Sequence, residues 1–326
     1  MTLTKKKLAI ITVVLVIVYF SLILILPESV IGERAENMLL FAPKAFFLGV
    51  TAAITTALIL ILIFKRDFVN WQIFSFSKYQ HMLKMLVKRD FVTKYRKSIL
   101  GVLWSLLNPL LTMLVMTVVF SYIFRNQIEN FPVYLLSGSL IYGFFNESTT
   151  QSMSSVIINE AIIKKIYVPK YVFPVARVLS SLVNLVFSLI AFFLVFIITR
   201  APFHWTILLM PVPIIYTFIF SLGVSMFLSA TAVFFRDLIY LYGVFSMLLM
   251  YFTPIFYPVE ILPEWAIPIY GLNPIYHFVN YFRDVAMRGT IPSLWENAVC
   301  IGYALAALCV GTYVFMRQQD KFILNL

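Results

Sequence analysis

The stretch that decides the fold is VLSSLVNLVFSLIAFFLVFIIT, residues 178–199, which carries no charge and lies between Arg177 and Arg200. A helix rises about 1.5 Å per residue, so about 20 apolar residues cross the hydrocarbon core of a bilayer. Inside that core a helix satisfies all of its own backbone hydrogen-bonding groups. We therefore predict a membrane-spanning helix for this stretch.

Seven further stretches with the same character flank it along the chain. They cover residues 8–26, 45–64, 99–124, 131–158, 206–235, 238–257 and 297–316. The 326-residue chain is 62% hydrophobic and 12% charged, whereas soluble domains average about 25% charged residues. The sequence therefore predicts an all-α integral membrane protein with about eight transmembrane helices.

The basic residues predict the orientation. With the N-terminus inside, 19 of the 25 Lys and Arg residues face the cytoplasm and 6 face outward, as the positive-inside rule requires. We expect a multi-pass protein of the cell (inner or plasma) membrane with both termini in the cytoplasm. The net charge of +11 is juxtamembrane, which indicates contact with anionic membrane lipids and no nucleic-acid partner.

The spans divide the chain into three regions. Residues 1–64 predict an N-terminal transmembrane hairpin, residues 65–98 a cytoplasmic basic segment, and residues 99–326 a core of six spans. The middle region contains nine Lys and Arg residues. It is either a solvated linker or an amphipathic helix, and the spacing of its apolar residues favours the helix.

The amphipathic helix is predicted from two sets of residues. Tyr79, Met82, Leu83, Leu86 and Val87 fall on one helical face, and His81, Lys84 and Lys88 fall on the other. This pattern is typical of a helix in the headgroup layer with its apolar side toward the lipid.

The external connection between the last two spans, residues 258–293, is apolar and rich in proline and aromatic residues. Pro258, Pro263, Pro268 and Pro274 exclude one continuous helix, because each lacks an N–H donor and clashes one turn back. We predict two short re-entrant helices that dip into the outer leaflet. Such a backbone requires surrounding protein or a wet cavity.

The chain lacks the motifs of several kinds of chemistry. It contains no G-x-x-x-x-G-K-[ST] phosphate loop, so it is not expected to hydrolyse nucleotide alone. His81, His204 and His277 show no metal-ligand spacing. An enzyme acting on polyprenyl-linked sugars stays an alternative, and it would need clustered acids at one membrane face. Candidates for that cluster are Glu260, Glu264, Asp284 and Glu296, which otherwise are solvated loop charges.

One acid, Glu147, lies well inside a predicted span, within the polar run NESTTQS of residues 146–152. An ionised carboxylate at the bilayer centre costs about 2.5–3.5 kcal/mol on insertion scales, so it should face protein or water. The run either lines a hydrophilic conduit or connects helices by hydrogen bonds. Both interpretations stay open.

From about residue 88 onward the chain resembles the permease subunits of ABC-2 type exporters. The nearest branch exports O-antigen, teichoic acid and other lipid-linked polysaccharides. The resemblance rests on short motifs in order along the chain: KRD (88–90), KYRKSILG (94–101), Trp104, NPL (108–110), Asn159, IKK (163–165), VP (168–169), FP (173–174), FRD (235–237), TP (253–254), YP (257–258), NP (273–274) and FRD (282–284). The hairpin of residues 1–64 departs from the usual six-span pattern.

The resemblance implies a homodimer that recruits two copies of a separate ABC ATPase. That partner would bind ATP and Mg²⁺, so no cofactor is expected in this chain. The implied ATPase-coupling residues are Asn159, Glu160, Ile163, Lys164, Lys165, Tyr167 and Pro169. The implied interface-helix residues are Lys88, Arg89, Tyr95 and Arg96, and the implied cytoplasmic gate residues are Arg236 and Asp237.

The implied function is ATP-driven movement of a lipid-linked polysaccharide or teichoic acid from the cytoplasmic to the outer face of the membrane. Aromatic and polar side chains would contact the sugars. The conduit and exit candidates are Glu147, Gln151, Tyr257, Tyr270, Tyr276, Tyr281 and Arg283. The alternatives are an ABC-2 exporter of a drug or small lipid, and the membrane-embedded enzyme described above.

Overall fold

The computed structural model describes residues 66–95, 98, 100–123, 130–166, 168–258 and 267–325. The predicted hairpin, Arg96 and Tyr167 lie outside these residues. Within the described part the chain is helical and forms no strand. The helices are α1 (Arg66–Tyr95), α2 (Trp104–Ile123), α3 (Phe131–Met153), α4 (Ser155–Ile158), α5 (Glu160–Lys165), α6 (Val172–Ile198), α7 (Pro211–Phe234), α8 (Leu238–Tyr251), α9 (Ile267–Tyr270), α10 (Pro274–Arg283), α11 (Leu294–Gln318) and α12 (Phe322–Asn325).

Four helical segments of the described chain are long and apolar enough to cross a membrane. They are Gly101–Phe120, Val172–Ile198, Trp205–Phe234 and Leu294–Asn325. Each coincides with a predicted span. Helix α3 also coincides with one but is more polar, and α8 is an apolar helix of only 14 residues. The all-helical membrane fold is confirmed, whereas the total of eight spans stays a prediction.

The helix ends differ from the predicted ones for local reasons. Helix α6 begins at Val172 and not at residue 178, because Pro174 lies in its first turn, where a missing N–H costs nothing. Helix α8 ends at Tyr251 and not at residue 257. Pro254 follows shortly after it, and the residue before a proline disfavours helical geometry.

The closest helix pair of the core is α7 with α11, and glycines make its approach possible. A Cβ atom on Gly223 would overlap the backbone of Ala307, and one on Gly311 would overlap the backbone of Gly223. Small residues let two membrane helices approach to backbone contact. The close approach of α7 and α11 therefore requires glycine at both positions.

Helix α1 contains the predicted amphipathic helix, but its apolar face has a different partner. Leu83 and Leu86 are buried in one cluster with Ile163 of α5 and Phe173 of α6. The predicted lipid-facing side thus packs on protein, because the starts of α5 and α6 offer an apolar surface beside it. The opposite face, with Lys84, is exposed as predicted.

The described part of the external connection contains two short helices, α9 and α10, followed by a π-helical turn over Asp284–Arg288. Ile275, Phe278 and Phe282 of α10 are fully buried in the main core cluster. The connection is therefore an integral part of the core. Its re-entry into the outer leaflet stays a prediction.

Candidate functional site

A cleft lies between α2, α3 and α6. It consists of two adjoining cavities of about 290 and 420 Å³. Asn108, Pro109, Glu147 and Ser188 line both cavities, so the two form one continuous space. The smaller cavity is mainly apolar, and the larger one is lined by polar side chains that reach it from four helices.

Glu147 lies at the junction of the two cavities and accepts three hydrogen bonds on one oxygen. Its Oε1 receives Lys94 Nζ at 2.9 Å, Asn184 Nδ2 at 2.7 Å and Gln151 Nε2 at 3.0 Å. The Glu147 side chain is 28% exposed and that of Lys94 is 46% exposed. The cation and the two amides together stabilise the ionised carboxylate where it would otherwise be costly.

The rest of the polar run connects helices. The Tyr242 hydroxyl of α8 donates to Thr149 Oγ1 at 2.6 Å, and the Ser152 hydroxyl donates to the Pro174 carbonyl of α6 at 3.2 Å. Hydrogen bonds of this kind stabilise helix pairs in membranes. Glu147 lines the cleft and Gln151 donates to it, whereas the other face of the run joins α3 to its neighbours. The role of these residues in a conduit stays a prediction.

An ion pair and a hydrogen bond connect the end of α1 to two further elements. Asp90 Oδ2 lies 2.9 Å from the NH1 atom of Arg177 in α6, with the two side chains 9% and 19% exposed. Arg89 bonds the other oxygen of Asp90 at 3.1 Å and donates to Asn159 Oδ1 at 3.5 Å. Asn159 immediately precedes α5, so the last turns of α1 contact both α5 and α6.

The predicted ATPase-coupling segment contains the short helix α5. Ile163 is buried beneath it, and Lys164 pairs with Glu160 at 2.6 Å on the exposed side. Lys165 is also exposed, and Pro169 accepts the backbone N–H of Val172 just before α6. The segment thus presents two lysines outward from an apolar base, and its coupling role stays a prediction.

The predicted gate residues Arg236 and Asp237 form the turn between α7 and α8. Both side chains are exposed, and neither makes an ion pair within the described part of the chain. The backbone carbonyl groups of both accept hydrogen bonds from the first turn of α8. Their role as a gate stays a prediction.

Arg283 is 1% exposed and pairs with no carboxylate among the residues that the structure describes. It donates to the carbonyl oxygens of Pro254 at 2.8 Å and of Tyr134 and Ile255 at 3.3 Å, and to Ser137 Oγ at 3.2 Å. Its guanidinium lies 3.5 Å from the centre of the Tyr134 ring. Burial lowers the pKa of Arg283 to about 10, so it stays charged at neutral pH and fixes α10 to α3.

The predicted exit tyrosines occupy two environments. The Tyr257 and Tyr270 hydroxyls lie 3.2 Å apart, and the Tyr270 ring stacks on Phe252 at 4.4 Å. Tyr281 is buried and donates to Asn297 Oδ1 at 2.9 Å, whereas Tyr276 packs edge-on against His277. Tyr281 and Arg283 contact only interior groups in this arrangement. The exit role of this set stays a prediction.

Sequence reasoning missed the partners of Glu147. Lys94 is 53 positions away from it and Asn184 is 37 positions away. One signal was present, because Asn184 is the one amide side chain in the uncharged run of residues 178–199. A polar amide within a span usually faces other helices or a cavity.

A bundle of apolar helices around a polar cleft, connected to basic elements at one end, is the architecture of a membrane protein and is compatible with a transport protein. The description "ABC-2 type transporter" matches residues 81–287. The chain belongs to this family, so the predicted resemblance is confirmed. ABC-2 permeases of such systems work with an ABC ATPase partner.

Curated relatives are similar along almost their whole length. The chain is 32% identical to an O-antigen export system permease protein RfbA of Klebsiella pneumoniae, over 74% of this chain and 93% of the relative. It is 26% identical to the RfbA protein of Myxococcus xanthus, over 75% and 95%. It is 22% identical to the polysialic acid transport protein KpsM of Escherichia coli, over 74% and 95%.

Proposed function

We propose that this chain is the transmembrane subunit of an ABC exporter that moves a lipid-linked polysaccharide, of the O-antigen or teichoic acid kind, to the outer face of the membrane. The observation that carries the proposal is the match to O-antigen and polysialic acid export proteins over 93–95% of their length. A polar cleft among apolar helices supports it, because a sugar polymer needs hydrogen-bonding partners within the membrane.

The proposed assembly is a homodimer with two ATPase copies. Helices α2 and α8 support the dimer, since each carries a long apolar face that no described residue covers. Leu114 and Val118 of α2, and Val244 and Leu248 of α8, are each more than half exposed. The outward lysines of α5 would contact the ATPase, which would supply ATP and Mg²⁺ binding.

The enzyme alternative gains no support from the described acids. Asp284 pairs with Arg288 at 2.6 Å, and Glu296 closes a capping box with Ser293 at the start of α11. Each of these acids thus stabilises a local turn or helix end. Among the described residues no group of three or more His, Cys, Asp or Glu could hold a metal ion.

The test is co-expression of the chain with the ABC ATPase encoded beside it, followed by purification of the complex. We expect an assembly of two copies of each chain, whose ATP hydrolysis responds to lipid-linked glycan extracted from the producing cells. The double variant Lys164→Ala/Lys165→Ala should weaken the complex. The matched control is Lys84→Ala, which removes an equally exposed lysine from α1.

Recovery of the chain without any ATPase would contradict the proposal. The proposal would also be contradicted if the glycan left the rate of ATP hydrolysis unchanged while an unrelated amphipathic drug raised it. That result would favour the drug-exporter alternative. A strain that lacks the chain and still exports its glycan would also exclude the proposed function.

A further inference from the structure

The larger cavity of the cleft has the size and lining of a ligand site. Its volume of about 420 Å³ lies within the range of roughly 300–1,000 Å³ that is usual for small-ligand pockets. Its lining includes Lys94, Trp104, Asn108, Glu147, Asn184 and Ser188. These residues come from α1, α2, α3 and α6, so four helices contribute to the walls of this open cavity.

The cavity offers hydrogen-bond acceptors that lack donors. Every described bond to Glu147 is made on Oε1. Asn184 Oδ1 is buried and has no hydrogen-bond partner, while its Nδ2 is held by Glu147. Six buried side-chain atoms of the described residues lack a partner, and Asn184 Oδ1 is the one whose residue lines this cleft.

Glu147 Oε2, on which no described bond is made, can accept a hydrogen bond from a donor within the cavity. A hydroxyl-rich ligand supplies such donors. A phosphate group supplies no such donor, and its negative charge would be repelled by the Glu147 carboxylate.

The two halves of the cleft differ in polarity in a way that suits an amphiphile. Trp104 provides an exposed aromatic ring at the polar cavity, a surface against which the apolar face of a sugar ring can pack. The adjoining smaller cavity is lined by Met113, Leu136 and Leu140, among other apolar side chains. A ligand with a polar unit in the larger cavity and a hydrocarbon part in the smaller cavity would match this lining.

We propose that the polar cavity beside α2 binds a sugar unit of the exported glycan within a single protomer. Hydroxyl groups of the sugar donate to Glu147, and Trp104 packs against the ring. This assignment rests on the proposed function, because it takes the transported molecule to be a glycan.

The test is site-specific photo-crosslinking in cells that make the glycan. A photoreactive residue replaces Ser188 in the cleft, and the control replaces Val186 of the same helix, which is exposed away from the cleft. We expect a glycan adduct at position 188, absent when glycan synthesis is blocked, and none at position 186. Phospholipid adducts at position 188 that persist without glycan synthesis would overturn the assignment.

A second measurement uses purified complex and extracted lipid-linked glycan. Trp104→Ala should raise the glycan concentration for half-maximal ATPase response by about tenfold, the usual effect of removing one well-packed group. Trp104→Phe should restore most of it, because an aromatic ring remains. If neither variant changes the response and position 188 captures no glycan, the sugar site is refuted while glycan export by the complex still stands. If the complex does not export glycan at all, the proposed function fails instead.

Discussion

The ion pair between Asp90 and Arg177 should be the strongest electrostatic contact between α1 and the core. Asp90 Oδ2 lies 2.9 Å from Arg177 NH1, and the two side chains are only 9% and 19% exposed. The Ser180 hydroxyl donates to the same oxygen at 3.4 Å. Replacing Asp90 with alanine would leave the Arg177 guanidinium largely buried without its anion.

The expected cost is about 3 kcal/mol in the free energy of unfolding. Removing one partner of a buried pair typically costs about 3–5 kcal/mol, and the residual exposure of Arg177 places this pair at the lower end. Arg177→Met removes the charge but keeps much of the side-chain volume. The double variant Asp90→Ala/Arg177→Met should therefore be more stable than the sum of the single changes, by about 1.5–3 kcal/mol.

The assay is reversible unfolding of the purified protein in mixed detergent micelles with increasing sodium dodecyl sulfate. Lys84→Ala is the matched control. Its side chain is exposed on the same helix, so its effect should stay within about 0.5 kcal/mol. A loss below about 1 kcal/mol for Asp90→Ala, or strict additivity in the double variant, would refute the reasoning that the buried pair fixes α1.

Three further predictions concern the core and the external segment. Gly311→Ala should destabilise the protein by at least about 1–3 kcal/mol in the same unfolding assay, because the added Cβ overlaps the backbone of Gly223. The control Gly243→Ala should not destabilise it, because open space surrounds that position. Arg283→Met should lower the yield of folded protein and cost at least about 2 kcal/mol, since buried carbonyl groups lose their donor; an unchanged thermal midpoint would contradict this. Burial lowers the pKa of His277, whose ring bonds the Gly271 carbonyl at 2.7 Å. Below about pH 6.5 the unfolded chain therefore binds a proton at His277 more readily than the folded protein does. The free energy of unfolding should fall as the pH drops below that value. His277→Gln should remove this part of the pH dependence.

The spans could be predicted because membrane insertion is governed by local hydropathy. Residues 178–198 lie within α6, with Thr199 as its C-cap, and residues 297–316 lie within α11. The ends were less predictable, since a proline stops a helix or starts one according to its position in the turn. Pro174 lies in the first turn of α6, while Pro254 follows the end of α8.

The site was only partly predictable, because its contacts are long-range. Glu147 could be singled out from its position in a span, but no local rule pairs it with Lys94 or Asn184. Arg283 could be singled out from its motif. Its buried position depends on hydrogen bonds to backbone carbonyl groups of α3 and of the segment after α8. These groups lie 149 and 28 positions away along the chain.

The polar contacts that Arg89, Asp90 and Lys94 of α1 make with the rest of the protein differ in strength. These differences determine which contact should break first when the coupling segment or the cleft moves. Arg89 donates to the neutral Asn159 oxygen at 3.5 Å, a long and weak contact. The pair of Lys94 with Glu147 is close at 2.9 Å but substantially exposed, so solvent screens it. The pair of Asp90 with Arg177 is both close and largely buried. A force applied at α5 or within the cleft should therefore break a contact of Arg89 or Lys94 before it separates α1 from α6. The fixed point of α1 is Asp90, and the contacts on either side of it are the ones that can open at low cost.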